Sequence, residues 1–216
     1  MMSKDYNEAE IAIDELFADF NDNPKFAAAV LAIVEQCYRQ GLPKQFSDPN
    51  YARELFGGAA GICDIFIEEK PEDNLVPEAL LYMAYCDYQL GENAAAAESC
   101  QEIIIYSPDY EYVHYAQLLI ASSYEKLAES GVVSMSEADY QIEQALLSVI
   151  EKETKIDKES VARALLELSR WYVKMGEKDL AASFYEEFIM RADDPNNADA
   201  RAAKAELEKL RQAGRM

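Results

Sequence analysis

Glycine and proline are scarce in this chain: eight and seven respectively in 216 residues. That is too little punctuation for a fold built of many short strands and turns. There is one histidine, His114, and no serine or cysteine is arranged near it in the sequence. Histidine-based nucleophilic catalysis therefore has little to work with. The four cysteines, Cys37, Cys63, Cys86 and Cys100, never fall at Cys-x-x-Cys spacing. Neither a zinc site nor a disulfide framework is indicated, and all four read as small buried hydrophobes. No run of about 18 apolar residues occurs, which excludes a membrane-spanning helix. The N-terminal MMSKDYNEAE lacks the apolar core of a signal peptide, so a cytoplasmic protein is expected.

Positive charge is also short. The formal charge is −21, from 41 acids against 20 bases. Between residues 77 and 130 nine acids face a single base, Lys126. Phosphate backbones would be repelled, so nucleic acid is excluded as a partner and basic proteins or peptides are favoured. No metal site is expected. The segment from Asp19 to Asn23 faintly suggests a calcium loop, but Pro24 stands where glycine is needed and Val30 where a bidentate glutamate is needed. No cofactor is called for.

What the chain does have is helix. Half of it is hydrophobic, rich in alanine, leucine, glutamate and isoleucine. Apolar residues recur at helical spacing, as in Ile142, Ala145, Leu146, Val149 and Ile150. The pattern predicts helices over about 5–20, 25–40, 49–69, 76–90, 93–106, 110–129, 137–153, 158–175, 178–193 and 197–213, with no strand. The prolines read as helix boundaries. Gly41, Gly91, Gly131, Gly176 and Gly214 read as left-handed helix ends. Asp48-Pro49 and Ser136 are expected N-caps, the latter as a short capping box ending at Asp139.

Three glycines remain, in ELFGGAAGICDIFIEE. GGAAG is not G-x-G-x-x-G, no Gly-Lys-Ser/Thr follows it, and no strand precedes it. A phosphate loop is excluded. Gly57 and Gly61 lie four apart on one helical face. They predict a helix interior where a neighbour packs unusually close, with a local break between Phe56 and Ala60 as the alternative.

Helix, glycine, helix, proline repeats along the chain. Met83 to Ala96, and Leu168 to Ala181, are each 13 residues apart. This resembles the tetratricopeptide repeat, whose pattern is W-x₂-L-G-x₂-Y, then A-x₃-F, then P. One unit supplies Leu165, Leu168, Ser169, Tyr172, Gly176, Ala181 and Tyr185. Another supplies Leu80, Met83, Ala84, Gly91, Ala96, Cys100 and Pro108, with Asp87 where tyrosine is usual. Two degenerate units contain Val30, Ile33, Val34, Cys37, Ala59 and Cys63, and Gln117, Ile120, Ala121 and Tyr124. A weaker resemblance, carried by SPDYEYVHYAQLLIASSYEKLAES, is to the repeat subfamily of outer-membrane assembly lipoproteins and cell-envelope coordinators.

The resemblance implies an all-α, right-handed α-solenoid of about four helix pairs. It implies one domain over 1–216, with units at about 25–75, 76–109, 110–156 and 157–195 and a capping helix at about 197–213. It implies a non-enzymatic interaction scaffold that binds a protein or peptide in a concave groove. A secretion or envelope chaperone and a self-associating architectural subunit are the alternatives, with the oligomeric state open. Groove positions carried over from the family include Tyr38, Glu78, Leu81, Tyr85, Tyr88 and Tyr115, then Arg163, Arg170 and Lys174. The groove is thus expected to be aromatic and acidic early and basic late. Its late part is expected either to receive an acidic segment or to hold ordinary i,i+4 ion pairs.

Overall fold

The computed structural model describes residues 25–152, 156–192 and 197–213, together with Glu15, Phe17, Asp19, Phe20, Asn23 and Asp194. Nine helices have both ends within them, and no strand occurs among the described residues. They are α1 (Phe26–Ser47), α2 (Pro49–Glu69), α3 (Val76–Leu90), α4 (Asn93–Tyr106), α5 (Val113–Glu129), α6 (Met135–Glu151), α7 (Lys158–Met175), α8 (Lys178–Arg191) and α9 (Ala198–Ala213). Most of the helix expected over 5–20 lies outside the described residues.

Glycine sets several of the ends. Gly91, Gly131 and Gly176 have φ of 88°, 72° and 84°, where a side chain would be strained. Each closes its helix the same way. The following N–H reaches back to the carbonyl five residues before it: Glu92 to Asp87 at 2.9 Å, Val132 to Leu127 at 2.9 Å and Glu177 to Tyr172 at 2.9 Å. This is the bond pattern of a Schellman cap.

Two expectations fail around α1. Gly41 is not a helix end, and Pro43 is not a boundary, since both lie within α1. Proline there removes one backbone donor, yet Pro43 is exposed and the helix runs on to Ser47. The connection to α2 is Asp48 alone. Its N–H donates to the Lys44 carbonyl at 2.7 Å, and its carboxylate accepts from the Tyr51 N–H at 3.3 Å, with Pro49 at the first helical position. The cap of α6 is also displaced. Ser134, not Ser136, accepts from the Glu137 N–H at 3.1 Å. Ser-Met-Ser-Glu carries the S-x-x-E spacing of a capping box two residues earlier than expected.

The glycine stretch is helical throughout, so the predicted local break is absent. At Gly61 the predicted close approach is absent: a methyl group there, as at Gly58, would meet nothing within 4 Å. The crowded glycine is Gly41. A Cβ there would lie 2.5 Å from Cε1 and 2.7 Å from Cζ of Phe56.

The chain divides into two compact units, Met1–Leu119 and Ile120–Met216. The first is centred on Val34, Phe56, Ala59, Cys63, Phe66, Ala79 and Cys86, each 1% exposed or less. The second contains a cluster of Val161, Leu165, Leu166, Tyr185, Phe188, Ala200, Ala203 and Leu207. There α9 turns Ala200, Ala203 and Leu207 toward α8 and keeps its charges outside. The small repeat residues Ala59, Ala96 and Ala181 are all fully buried. Cys63, Cys86 and Cys100 are buried as expected, Cys37 is half-buried, and all four are free thiols.

Candidate binding surface

In the first unit, α1 and α3 face each other. Glu78, Tyr82, Tyr85 and Gln89 recur at spacings of four, three and four, which places them on one side of α3. Glu35, Tyr38 and Gln45 form the corresponding side of α1. The far end of the pair is closed by a bond from Gln45 Nε2 to Gln89 Oε1 at 2.7 Å.

Tyr38 is the hub. Its ring lies 5.6 Å from that of Tyr85, 6.3 Å from Tyr82 and 5.8 Å from Phe56. The SPDY turn after α4 brings Tyr110 to the same place. Burial raises the Tyr110 phenol well above the usual range, and Glu78, Tyr112, Tyr82 and Tyr85 add to it. Tyr112 and Tyr115 continue the run, with rings stacked at 6.0 Å, and Tyr112 is 5.6 Å from Tyr110. Tyr38, Tyr82, Tyr85, Tyr110 and Tyr115 are half-buried, and Tyr112 is exposed.

The carboxylates set the electrostatics of this surface. Burial and Glu35 both raise the pKa of Glu78. Burial, then Glu35 and Glu78, push the Tyr82 phenol up to about 12, and Arg39 partly offsets this. Arg39 itself pairs with Glu35 at 2.7 Å, one turn along α1.

Four of the early groove positions therefore join one surface: Tyr38, Glu78 and Tyr85 directly, and Tyr115 through Tyr112. Leu81 does not, because it is buried at 7% exposure. Tyr88 is half-buried on α3. Tyr82 and Tyr110 are members that the repeat positions do not reveal. A helical face through Glu78 and Tyr85 continues equally well through 81 and 88 or through 82 and 89, so Tyr82 stays hidden. Tyr110 sits in a turn, where helical spacing carries no information.

In the second unit, Arg163, Arg170 and Lys174 are exposed on α7, and each meets a carboxylate. Arg163 pairs with Glu167 at 2.7 Å and Arg170 with Asp199 at 3.3 Å. Lys174 lies 2.6 Å from Glu125 and 2.9 Å from Glu129. Hydrogen bonds from Lys126 and Lys174 hold the Glu129 carboxyl down at about 2. These are ordinary ion pairs, although of the three bases only Arg163 uses i,i+4 spacing. Arg163 and Arg170 also line a cleft of about 570 Å³ between α7 and the start of α9. Lys158 and Arg191 add positive charge to it, and Glu159, Glu167, Asp194 and Asp199 balance them.

Two bonds fix α6 against α7. Trp171 Nε1 donates to Asp139 Oδ1 at 2.7 Å, and the Tyr172 hydroxyl donates to Glu143. Among the described residues, no group of three or more histidines, cysteines or acids is placed to hold a metal ion. No described helix is long and apolar enough to cross a membrane.

No family model matches the chain, and no curated protein matches it. Among solved structures it is similar to a thermophilic TPR protein of Thermus thermophilus, known from a crystal structure. That similarity has 21% identity and a TM-score of 0.51, and covers 83% of this chain and 82% of the other. With the buried alanines and the repeated glycine caps, the likeness establishes an all-α, TPR-like helical-repeat fold.

Proposed function

We propose that the protein is a non-enzymatic interaction scaffold whose first unit binds a protein or peptide segment across Tyr38, Tyr82, Tyr85 and Tyr110. The carrying observation is the tyrosine surface itself. Half-buried rings from two helices and a turn converge beside Glu35 and Glu78. Tyrosine offers large contact area with few rotatable bonds and a polar tip, which suits a binding surface better than a core. A TPR-like fold is consistent with this use, and the ion pairs on α7 leave the second unit a weaker candidate.

Affinity capture from the source organism tests the reading. Wild type and Tyr85→Ala are compared with Arg170→Glu, all with helical content verified. Loss of a captured partner in Tyr85→Ala, and its retention in Arg170→Glu, is the expected outcome. Equal capture by wild type and Tyr85→Ala would remove the assignment to the first unit.

A further inference from the structure

We propose that the tyrosine surface recognises an arginine side chain of the bound segment, with the guanidinium lying on the Tyr82, Tyr85 and Tyr110 rings and pairing with Glu78. This deepens the reading above and rests on it.

Three observations carry it. First, the two carboxylates of the surface differ. Glu35 already holds the chain's own guanidinium, Arg39, at 2.7 Å, and that arginine lies close enough to Tyr82 to influence its phenol. A carboxylate and an exposed arginine are thus already paired near Tyr82. Second, Glu78 has the tyrosines around it without that compensation: the influences on it are burial and the like charge of Glu35. A half-buried carboxylate beside another gains most from an incoming cation. Third, the aromatic groups grouped there are tyrosines, whose faces attract cations, and a planar guanidinium both stacks on such faces and bonds a carboxylate in two-pronged fashion. The stretch from 77 to 119, which supplies Glu78, Tyr82, Tyr85 and Tyr110, has seven acids and no lysine or arginine, so the local charge favours the same ligand.

The test uses three short peptides of identical sequence around a central residue: arginine, lysine or citrulline. Citrulline keeps the shape of arginine and removes its charge. Each is titrated into the full chain and followed by amide NMR shifts and by calorimetry. The arginine peptide is expected to shift resonances around Tyr38, Tyr82, Tyr85 and Tyr110. The lysine peptide should bind more weakly, and the citrulline peptide at least about tenfold more weakly. Glu78→Gln reduces arginine-peptide affinity by about tenfold, and Tyr85→Phe retains it while Tyr85→Leu does not. Citrulline binding as tightly as arginine at these residues would overturn the cation assignment and leave the scaffold reading standing. Shifts confined to residues 158–199, or no shift with any peptide, would overturn the proposal too. The capture experiment with Tyr85→Ala then judges the scaffold reading by itself.

Discussion

The ring of Phe56 fills the space in which Gly41 would otherwise carry a side chain, with Cε1 2.5 Å from the ideal Cβ position. Gly41 sits inside α1 and is buried, and Phe56 on α2 is 1% exposed. The Phe56 ring also lies 5.8 Å from that of Tyr38, so moving it disturbs other packing. Alanine at position 41 gains up to about 1 kcal/mol of helix propensity, but the overlap costs about 1–3 kcal/mol. Gly41→Ala is therefore expected to lower the thermal midpoint. Shrinking Phe56 to leucine in the same chain should recover part of the loss, as coupled neighbours do. A higher midpoint in the single variant would show that α1 and α2 are not packed so closely.

Gly58 and Gly61 behave oppositely. Both are inside α2 with open space where a methyl would go. Each glycine-to-alanine change should stabilise by about 0.5–1 kcal/mol. The same change at Gly91 or Gly176 should destabilise, because their φ is +88° and +84°. Thermal melts of the four variants separate the two classes.

Asp87 gives the first unit a pH dependence. Burial, then Glu92 and Asp64, raise its pKa to about 6. The folded form binds this proton more tightly than the unfolded form does. The group thus favours folding at low pH, and that contribution is lost as pH rises through about 6. Lowering the pH from about 7 to about 5 should raise the thermal midpoint of the wild type. In Asp87→Asn the rise should be smaller. The high net charge acts in the same direction in both chains, so the difference between them isolates Asp87. Identical pH profiles would refute this role.

The bond from Tyr172 to Glu143 joins α7 to α6 in a partly buried position. Tyr172→Phe keeps the ring, which stacks on Phe184 at 5.6 Å, and removes only the hydroxyl. A loss of about 1 kcal/mol is expected. In a double-mutant cycle with Glu143→Ala the two changes should be non-additive, and additivity would mean that the bond contributes nothing.

The helices are legible in the sequence because their signals are local. Periodicity and capping residues place α2, α3, α4 and α7 at their observed ends. Gly91, Gly131 and Gly176 stand where only a residue without a side chain is comfortable. Gly41 looks the same in sequence and misleads, because what fixes it is a ring 15 residues away. Gly61 of GGAAG misleads for the complementary reason: helical spacing reveals which residues share a face, not whether a neighbour lies opposite. The candidate surface is half legible for similar reasons. Tyr38, Glu78 and Tyr85 follow from repeat positions, whereas Tyr110 arrives through a turn. The basic residues of α7 are visible as charge, but Asp199, Glu125 and Glu129 reach them from distant sequence.

The central claim is that the tyrosine surface of the first unit is where a partner binds. Photo-crosslinking in the source organism addresses it directly. A benzophenone amino acid replaces Tyr85 in one strain, Tyr140 on α6 in a second and Arg163 in a third, and crosslinked products are compared. A discrete protein adduct is predicted from position 85, absent at 140 and 163. An adduct from 163 with none from 85 would contradict the claim.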